Sequence, residues 1–454
     1  MRSQTLVSII AVLMSTGIAL GFPALSISPI VLEGDTVAGV GNISSGFGAS
    51  EVHTVNNSGE WLVESDTTNV DTDQDGVVLR GVGAGAGALY LREGQAVTSP
   101  AGAMINTFDS SVINNNVGNV SFNLFLEGTG ATTNDSGIYF NTDLIIQESD
   151  IATAAGFGAN TPYIGFFDTK INDNNNIMVL ASIDDPNVAS TVDRAIIVVN
   201  PLSFTQTRII GEGDELIAGR FVTDFDTDNH DTAFIKNGDI VFNVDLDGDT
   251  ANDGALARWT GSGFDILARE GDPSPVGGRN YGSSEFTAVD MNRKGEWVTR
   301  ADLDGGTTDD TIIVRNGLEV IAQEGMSLAS IGGVFTFTAF GSGPVLIDDN
   351  GDVLWFGDWN DADTTRDTGL FLNDKLIVQE GVTQVNGMTV TAVSGVTEGI
   401  SMSDSGQWII FEGAVFDDVN GLTLEGAFLI EVPEPSTLSM LACGMLLCFR
   451  RRHR

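Results

Sequence analysis

Short apolar stretches alternate with polar and glycine-rich segments along most of the chain. Several of these stretches, such as 196–199 and 408–411, are apolar at every position. A strand of this composition is buried on both faces, as happens when its sheet lies between two other sheets. Helical periodicity is almost absent between the two ends of the chain. The pattern therefore predicts an all-β protein built from stacked sheets.

One stretch of about 40 residues shows the repeating unit most clearly. A polar turn at 292–295 separates its first two apolar runs, an acidic loop follows the second run, and Asn316-Gly317 separates the last two. Asn-Gly between apolar runs is a strong hairpin signal. The unit is thus predicted to have four antiparallel strands, at 286–290, 297–301, 311–315 and 318–322.

A first marker repeats through the chain, consisting of a glycine followed by a polar and then an apolar residue. A short polar residue usually precedes the glycine by three positions and can close a tight turn through its side chain. In one copy an asparagine replaces the glycine, and asparagine is the residue that best tolerates a positive φ after glycine. Seven left-handed turn residues are therefore expected, at Gly59, Gly118, Asn175, Gly238, Gly295, Gly351 and Gly406.

A second marker is an apolar run that ends in Glu-Gly or a variant of it. Its glutamates also number seven, and successive copies of either marker lie 54 to 64 residues apart. Two interleaved series of seven predict seven equivalent units. The glutamates are Glu33, Glu93, Glu148, Glu212, Glu270, Glu324 and Glu380.

Seven units of four antiparallel strands predict a seven-bladed β-propeller. The last unit supplies 427–430 as its third strand and then stops, whereas segment 28–33 near the other end has the character of a fourth strand. This N-terminal strand is expected to complete the last blade and remove the exposed sheet edges. An open array of the same sheets is the alternative.

The chain is strongly acidic, with 62 Asp and Glu against 21 Lys and Arg and a formal net charge of −41. A nucleic-acid partner is not expected, because neutralising phosphates requires Lys and Arg. The loop between the second and third strands is acidic in every unit, so one rim of the propeller is predicted to be highly negative. Arg194 and Arg366 are the obvious basic residues of that rim.

Two of these acidic loops resemble calcium loops, because alternate aspartates project carboxylates to one side and a glycine permits a tight bend. Calcium is therefore a candidate cofactor, and no other cofactor is expected. A solvated acidic loop is the alternative interpretation. The candidate ligands are Asp71, Asp73 and Asp75 in one loop and Asp245, Asp247 and Asp249 in the other.

Both ends of the chain carry features of sorting signals. Arg2 and an apolar run at 6–20 precede small residues, which predicts a signal peptide over 1–26 with cleavage after about residue 21 or 26. At the other end, Pro433-Glu434-Pro435 is followed by an apolar run at 438–449 and an arginine cluster at 450–454. Residues 27–431 are the predicted propeller, and 432–454 form the tail.

The tail resembles the PEP-CTERM sorting signal. This resemblance implies recognition and cleavage by an exosortase-type enzyme, association with exopolysaccharide, and a location in the envelope, on the surface or in the extracellular matrix. The apolar run has about a dozen residues, fewer than the roughly 20 that a spanning helix needs. A transient contact with the membrane is therefore expected rather than a stable anchor.

Candidate catalytic groups are scarce in the sequence. The three histidines, His53, His230 and His453, have no zinc-site spacing, and the acidic residues are expected to spread around a rim. The sequence therefore predicts a structural or binding protein and not an enzyme. One alternative is a polysaccharide hydrolase or lyase with two carboxylates at the axis. Another is a carbohydrate-binding module that uses Trp259, Trp355 and Trp359, of which Trp355 alternates like a core residue and only Trp359 is predicted to be loop-exposed.

Overall fold

Seven antiparallel sheets form a seven-bladed β-propeller in the computed structural model, which confirms the predicted fold. The structure describes residues 25–44, 53–186, 188–189, 192–225, 231–235, 237–282, 286–396 and 398–433. The propeller is one unit, residues 27–431. A second unit comprises residues 1–26 and 432–454, and nearly all of it lies outside the described residues.

The strands follow the predicted order within each blade. Strand β1 (Ser26–Leu32) comes first, followed by the small hairpin of β2 (Thr36–Val37) and β3 (Gly41–Asn42). Blade 1 contains β4 (His53–Val55), β5 (Glu60–Asp66), β6 (Gly76–Val82) and β7 (Ala88–Arg92). Blade 2 contains β8 (Met104–Asn114), β9 (Val120–Glu127), β10 (Ser136–Phe140) and β11 (Asp143–Gln147). Blade 3 contains β12 (Tyr163–Ile171), β13 (Ile177–Ile183), β14 (Arg194–Asn200) and β15 (Thr205–Gly211).

The first strand is interrupted in three of the remaining four blades. Blade 4 contains β16 (Glu215–Ile217), β17 (Arg220–Phe225), β18 (Thr232–Phe234), β19 (Ile240–Leu246), β20 (Gly254–Trp259) and β21 (Phe264–Arg269). Blade 5 is regular, with β22 (Thr287–Met291), β23 (Trp297–Asp302), β24 (Thr311–Arg315) and β25 (Glu319–Gln323). A short 3₁₀ helix (Ala329–Ile331) precedes blade 6, which contains β26 (Phe337–Ala339), β27 (Leu346–Ile347), β28 (Val353–Trp359), β29 (Thr368–Leu372) and β30 (Lys375–Gln379).

The last blade is closed by the N-terminal strand, as predicted. It contains β31 (Gln384–Val385), β32 (Met388–Val393), β33 (Ile400–Met402), β34 (Trp408–Asp417) and β35 (Leu422–Glu431), and β1 pairs with β35 at its outer edge. Gly426 permits the close approach, because a Cβ there would clash with the carbonyl oxygen of Val31. Both ends of the ring are thus held in one sheet.

The core consists of apolar layers between neighbouring blades. Every residue of β13 is buried, and Ile196, Ile197, Ile410 and Phe411 are fully buried, as strands that are apolar on both faces require. One layer joins Trp61 and Val63 of blade 1 to Ile410 and Leu429 of blade 7. Each blade is therefore stabilised mainly by its two neighbours.

The predicted left-handed turns are present at the inner end of every blade. The φ angle is positive at all seven expected positions, from +63° at Asn175 to +101° at Gly238. The polar residue three positions earlier accepts backbone N–H groups, as at Asn56, whose Oδ1 lies 2.9 Å from the Ser58 N and 3.1 Å from the Glu60 N. These turns lie at one end of the propeller, called the turn side below.

Candidate functional site

The first predicted calcium loop is held by its own side chains. Asp71 accepts hydrogen bonds from the backbone N of Asp73 (3.4 Å) and from Nε2 of Gln74 (2.8 Å). The carbonyl oxygen of Asp75 accepts from the Thr67 N. These contacts give the loop a defined shape.

The second loop uses an arginine from an adjoining strand. Asp245 lies on β19, and Asp247 accepts from the Phe221 N (2.9 Å) and lies 3.5 Å from the Arg220 Nε. Asp249 accepts from the Ala251 N (3.2 Å). Among the described residues, no group of three or more His, Cys, Asp or Glu is arranged to hold a metal ion. Calcium at either loop stays a prediction.

The predicted acidic rim contains more arginines than the sequence suggested. Arg194 pairs with Asp224 and Arg366 with Asp361, while Arg279 reaches Asp309 (2.8 Å) from the connection before blade 5. Arg279 also donates to the carbonyl oxygens of Asp304, Asp309 and Gly306. The Arg279 guanidinium therefore binds the acidic loop of blade 5 at several points.

The glutamates of the Glu-Gly series bind backbone groups of their own blades, as a residue repeated in every unit is expected to do. Glu270 accepts from the backbone N of Asp253 (3.0 Å) and of Gly254 (3.2 Å), where the acidic loop enters the third strand. Glu93 and Glu212 make the equivalent contacts in their blades. Burial raises the pKa of each of these carboxyls.

The asparagines that stand three positions before the left-handed turn residues link neighbouring blades around the axis. The Nδ2 of Asn56 donates to the Asn115 carbonyl, that of Asn115 to the Asn172 carbonyl, and that of Asn292 to the Asp348 carbonyl, each at 2.9 Å. Each asparagine therefore stabilises its own turn through its oxygen and the next blade through its nitrogen.

The residue after each of these positions forms a second polar ring at the turn side. Asp404 of blade 7 accepts from Nδ2 of Asn116 in blade 2 (2.7 Å) and lies 3.9 Å from a guanidinium nitrogen of Arg293 in blade 5. Both contacts pass over an intervening blade. Arg293 also pairs with Asp349 (2.8 Å), and Asn116 with Asp173 (3.1 Å). We call Asn116, Asp173, Arg293, Asp349 and Asp404 the axial network.

A cavity of about 230 Å³ lies on the axis next to this network. The inner strands of all seven blades contribute to its lining. Its apolar part includes Ile113, Ile171, Val289, Leu346 and Ile400. Its polar and charged lining comprises His53, Thr54, Asn56, Asn114, Asn116, Lys170, Thr232, Asp290, Asn292, Arg293, Asp349, Glu398, Ser401 and Asp404.

Asp290 lines the cavity, and its pKa is strongly raised. Its carboxylate accepts from the Met291 N (2.8 Å) and, across to blade 6, from the Ile347 N (2.9 Å). The side chain lines the cavity but protein surrounds it closely, and this desolvation raises the pKa of Asp290 to about 7. The negative charge of Asp404 adds to the rise in the pKa, whereas the two N–H groups and Lys170 oppose it.

Lys170 of blade 3 also lines the cavity, and its charge acts on Asp290. The Lys170 Nζ lies 3.0 Å from Oδ2 of Asp168, which is only 1% exposed and also accepts from the Thr232 hydroxyl. Asp231, in blade 4, accepts from the Ala288 N (2.6 Å). The acidic residues that line the cavity come from blades 5, 6 and 7.

This arrangement corrects two predictions. The acidic residues do not only spread around a rim, because Asp290 and Asp404 both line the axial cavity. Trp359 is not loop-exposed: it is 1% exposed at the end of β28 and packs against Phe371. Trp355 is a core residue as expected, and Trp259 packs on Phe264. None of the six tryptophans, all within the described residues, belongs to the exposed surface.

The sequence contained one signal for the axial residues. The position five before each left-handed turn residue lines the cavity in every blade. It is occupied by Thr54, Ile113, Lys170, Ala233, Asp290, Leu346 and Ser401. When the seven units are aligned, this position is charged at Lys170 and Asp290 and small or apolar in the other units. The two charged residues therefore mark a site.

The predicted sorting signals fall largely outside the described residues. Residues 1–24, Glu434 and Pro435 are not among the described residues, whereas Pro433 is. His230, one of the three histidines considered above, also lies outside the described residues. None of the helices in the described ranges has the length and apolar composition needed to cross a membrane.

Solved structures similar to this chain include enzymes. A protein of unknown function from Dyadobacter fermentans is 10% identical, with 91% of this chain and 100% of that chain covered and a TM-score of 0.34. An α-L-arabinofuranosidase from Fusarium graminearum is 8% identical, with 90% and 98% covered and a TM-score of 0.32. A polysaccharide lyase described as an ulvan lyase is 8% identical, with 75% and 86% covered and a TM-score of 0.35.

The prediction that the protein is not an enzyme rested on acidic residues spread around a rim, and it is corrected because carboxyl groups also line the axial cavity. The similar structures include a glycosidase and a lyase. Likeness at this level transfers no activity or substrate to the chain. Both have to be argued from the chain's own side chains. Comparison with curated proteins found no match. Residues 13–230 and 222–429 each match one family, so the chain belongs to the family of unknown function DUF7453.

Proposed function

We propose that the protein is an exported hydrolase that acts on a polysaccharide, with the axial cavity as its active site. The observation that carries the proposal is the placement of Asp290 in this cavity beside Lys170 and a second carboxylate, Asp404. Glycoside hydrolysis needs two carboxyl groups in one site, one to donate a proton and one to act as a base or nucleophile.

The two carboxyl groups have environments that suit different roles. With a pKa of about 7, Asp290 is about half protonated at neutral pH and can give a proton to the leaving oxygen. Asp404 accepts a hydrogen bond from the Nδ2 of Asn116 (2.7 Å) and lies 3.9 Å from a guanidinium nitrogen of Arg293. We assign proton donation to Asp290 and the second role to Asp404.

The charge of the molecule favours hydrolysis over a lyase reaction. A lyase substrate carries a uronate carboxylate, which the net charge of −41 repels. Within the cavity, Asp290, Asp349, Glu398 and Asp404 outnumber Lys170 and Arg293. Hydroxyl and amide side chains such as Ser401 and Asn114 provide partners for the hydroxyl groups of a neutral sugar.

Export is part of the proposal and is supported by the two ends of the sequence. The N-terminal segment has the order of a signal peptide, and the tail resembles a PEP-CTERM signal. We propose processing by an exosortase-type enzyme and a place in the envelope or the extracellular polymer, where a polysaccharide substrate is at hand.

The test measures hydrolysis of aryl glycosides and of arabinan, xylan, dextran and alginate by the purified protein. We expect release of reducing sugar from a neutral substrate, with a rate that falls above about pH 7 as Asp290 loses its proton. Asp290→Asn should lower the rate at least ~100-fold. Asp265→Asn, on the exposed surface of β21, is the matched control.

Two outcomes would contradict the proposal. One is that neither the glycosides nor the polysaccharides are cleaved by the wild-type protein. The other is that Asp290→Asn retains full activity. Unsaturated products from alginate would instead indicate a lyase.

A further inference from the structure

The axial network limits how far a sugar chain can enter the cavity. Asp404 contacts Asn116 two blades away in one direction and Arg293 two blades away in the other. Contacts that pass over a blade have to extend inward from the ring, so these side chains project towards the axis at the turn side. They are also part of the cavity lining.

The space between this network and Asp290 is short. Asp290 lies on β22 and precedes Asn292, the first residue of the turn, by two positions, which corresponds to about 7 Å along an extended chain. The whole cavity, at about 230 Å³, is below the roughly 300–1,000 Å³ of pockets that hold drug-sized ligands. A single sugar ring fits this space, whereas several linked rings do not.

We infer that the enzyme acts at chain ends, with the terminal sugar bound between the axial network and Asp290, and that it releases monosaccharides. This inference rests on the proposed function. A polymer held by an internal segment would need space on both sides of the cleaved bond, and the network occupies one of those sides. Apolar residues such as Leu346 and Ile113 can cover one face of the terminal ring, while Asn114 and Ser401 bind its hydroxyl groups.

The experiment follows the products that the full-length protein releases from oligosaccharides of arabinose, xylose, glucose and galactose over time. Each substrate is also prepared with its non-reducing end blocked by methylation and, separately, with its reducing end converted to an alditol. We expect only monosaccharide from the earliest time points, and at least a tenfold loss of rate when one of the two ends is blocked. The matching polymer should lose little viscosity as sugar is released.

Two variants test the network itself. Asn116→Ala removes the hydrogen bond that crosses to Asp404, and longer products should then appear beside the monosaccharide. Asn57→Ala is the matched control, because the Oδ1 of this ring residue of blade 1 accepts from the Ser405 N (2.7 Å) of the adjacent blade 7 and passes over no blade. The backbone N of residue 57, which donates to the Asn116 Oδ1 (2.8 Å), is kept in this variant, and the product length should stay unchanged.

The possible failures can be told apart. Oligosaccharides of many lengths at early times, with equal rates on blocked and unblocked ends, would overturn chain-end action while leaving the hydrolase proposal intact. The same conclusion would follow if Asn57→Ala and Asn116→Ala changed the products alike. No release from any substrate would overturn the proposed function and this inference with it.

Discussion

At the scale of single residues, Asn115 shows how one side chain holds both its own turn and the next blade. It is fully buried, accepts from the Val117 N (3.2 Å) and the Asn119 N (2.9 Å), and donates to Asn172 and Asn175 of blade 3. A buried polar group that loses its hydrogen-bond partner destabilises the folded protein by about 1–3 kcal/mol, so the loss of several such bonds adds up.

We expect Asn115→Ala to lower the free energy of unfolding by about 2–4 kcal/mol, measured by urea denaturation. Asn115→Asp keeps the acceptor oxygens and loses the two donated bonds, so its difference from the wild type reports the link between blades, and its difference from the alanine variant reports the bonds within the turn. Asn174→Ala, exposed in the equivalent turn of blade 3, should change stability by no more than ~0.5 kcal/mol. Equal stability of Asn115→Ala and the wild type would contradict this role.

The residue scale also separates what the sequence could predict from what it could not. The turn at Asn175 was predictable, because a positive φ restricts the residue type locally. The importance of Asp290 was not, because its surroundings come from Ile347 of blade 6, Asp404 of blade 7 and Lys170 of blade 3. A buried pKa depends on neighbours that only the closed ring brings together.

At the scale of elements, closure of the ring depends on β1. Val31 is 1% exposed and belongs to the apolar layer shared with Trp61, Ile410 and Leu429. Without β1, the ten residues of β35 would form an open sheet edge, which is a template for pairing with other chains.

Val31→Asp should therefore destabilise the protein by about 3–5 kcal/mol, because it places an unpaired charge in the core. We expect a lower melting temperature and, on size-exclusion chromatography, association through the loosened edge. Ser26→Asp, at the exposed start of β1, is the control and should behave as the wild type does. If Val31→Asp melted at the wild-type temperature, the last blade would not depend on this strand.

Element boundaries were more predictable than the contacts between loops. The Glu-Gly series marked where each fourth strand ends, since the same backbone groups need a partner in every blade. The arginines that reach the acidic loops could not be assigned, because Arg220 begins the interrupted first strand of blade 4 and Arg279 lies in the connection before blade 5. Local periodicity thus predicts strands, whereas pairings between irregular segments follow from the assembled ring.

At the scale of the whole molecule, many buried carboxyl groups favour the protonated form. Burial raises the pKa of Glu212, Glu412 and Asp290 to about 7 in each case, well above the values of 3.8 to 4.5 for exposed groups. Smaller rises affect Glu93, Glu148, Glu270, Glu324 and Glu380. The net charge of −41 acts in the same direction, because protonation reduces repulsion.

This distribution predicts that mild acid stabilises the fold. A carboxyl whose pKa is raised on folding adds stability below its unfolded value near 4.5, and that stability is lost as the pH rises through about 7. Each group with a pKa near 7 contributes at most about 3 kcal/mol over this range. The melting temperature should therefore rise as the pH falls from about 8 to about 5. Below that, Asp363 and Asp417, whose pKa values are lowered by hydrogen bonds, begin to oppose the trend.

Calorimetry over this pH range checks the prediction, and Glu412→Gln provides the sharpest comparison. Glu412 is only 6% exposed, and the neutral amide keeps its shape without the charge, so the variant should melt at a temperature that depends less on pH than that of the wild type. Glu431→Gln, on the exposed end of β35, should leave the dependence unchanged. A melting temperature that falls steadily from pH 8 to pH 5 would mean that ion pairs such as Arg293 with Asp349, and not the buried acids, determine how stability responds to pH.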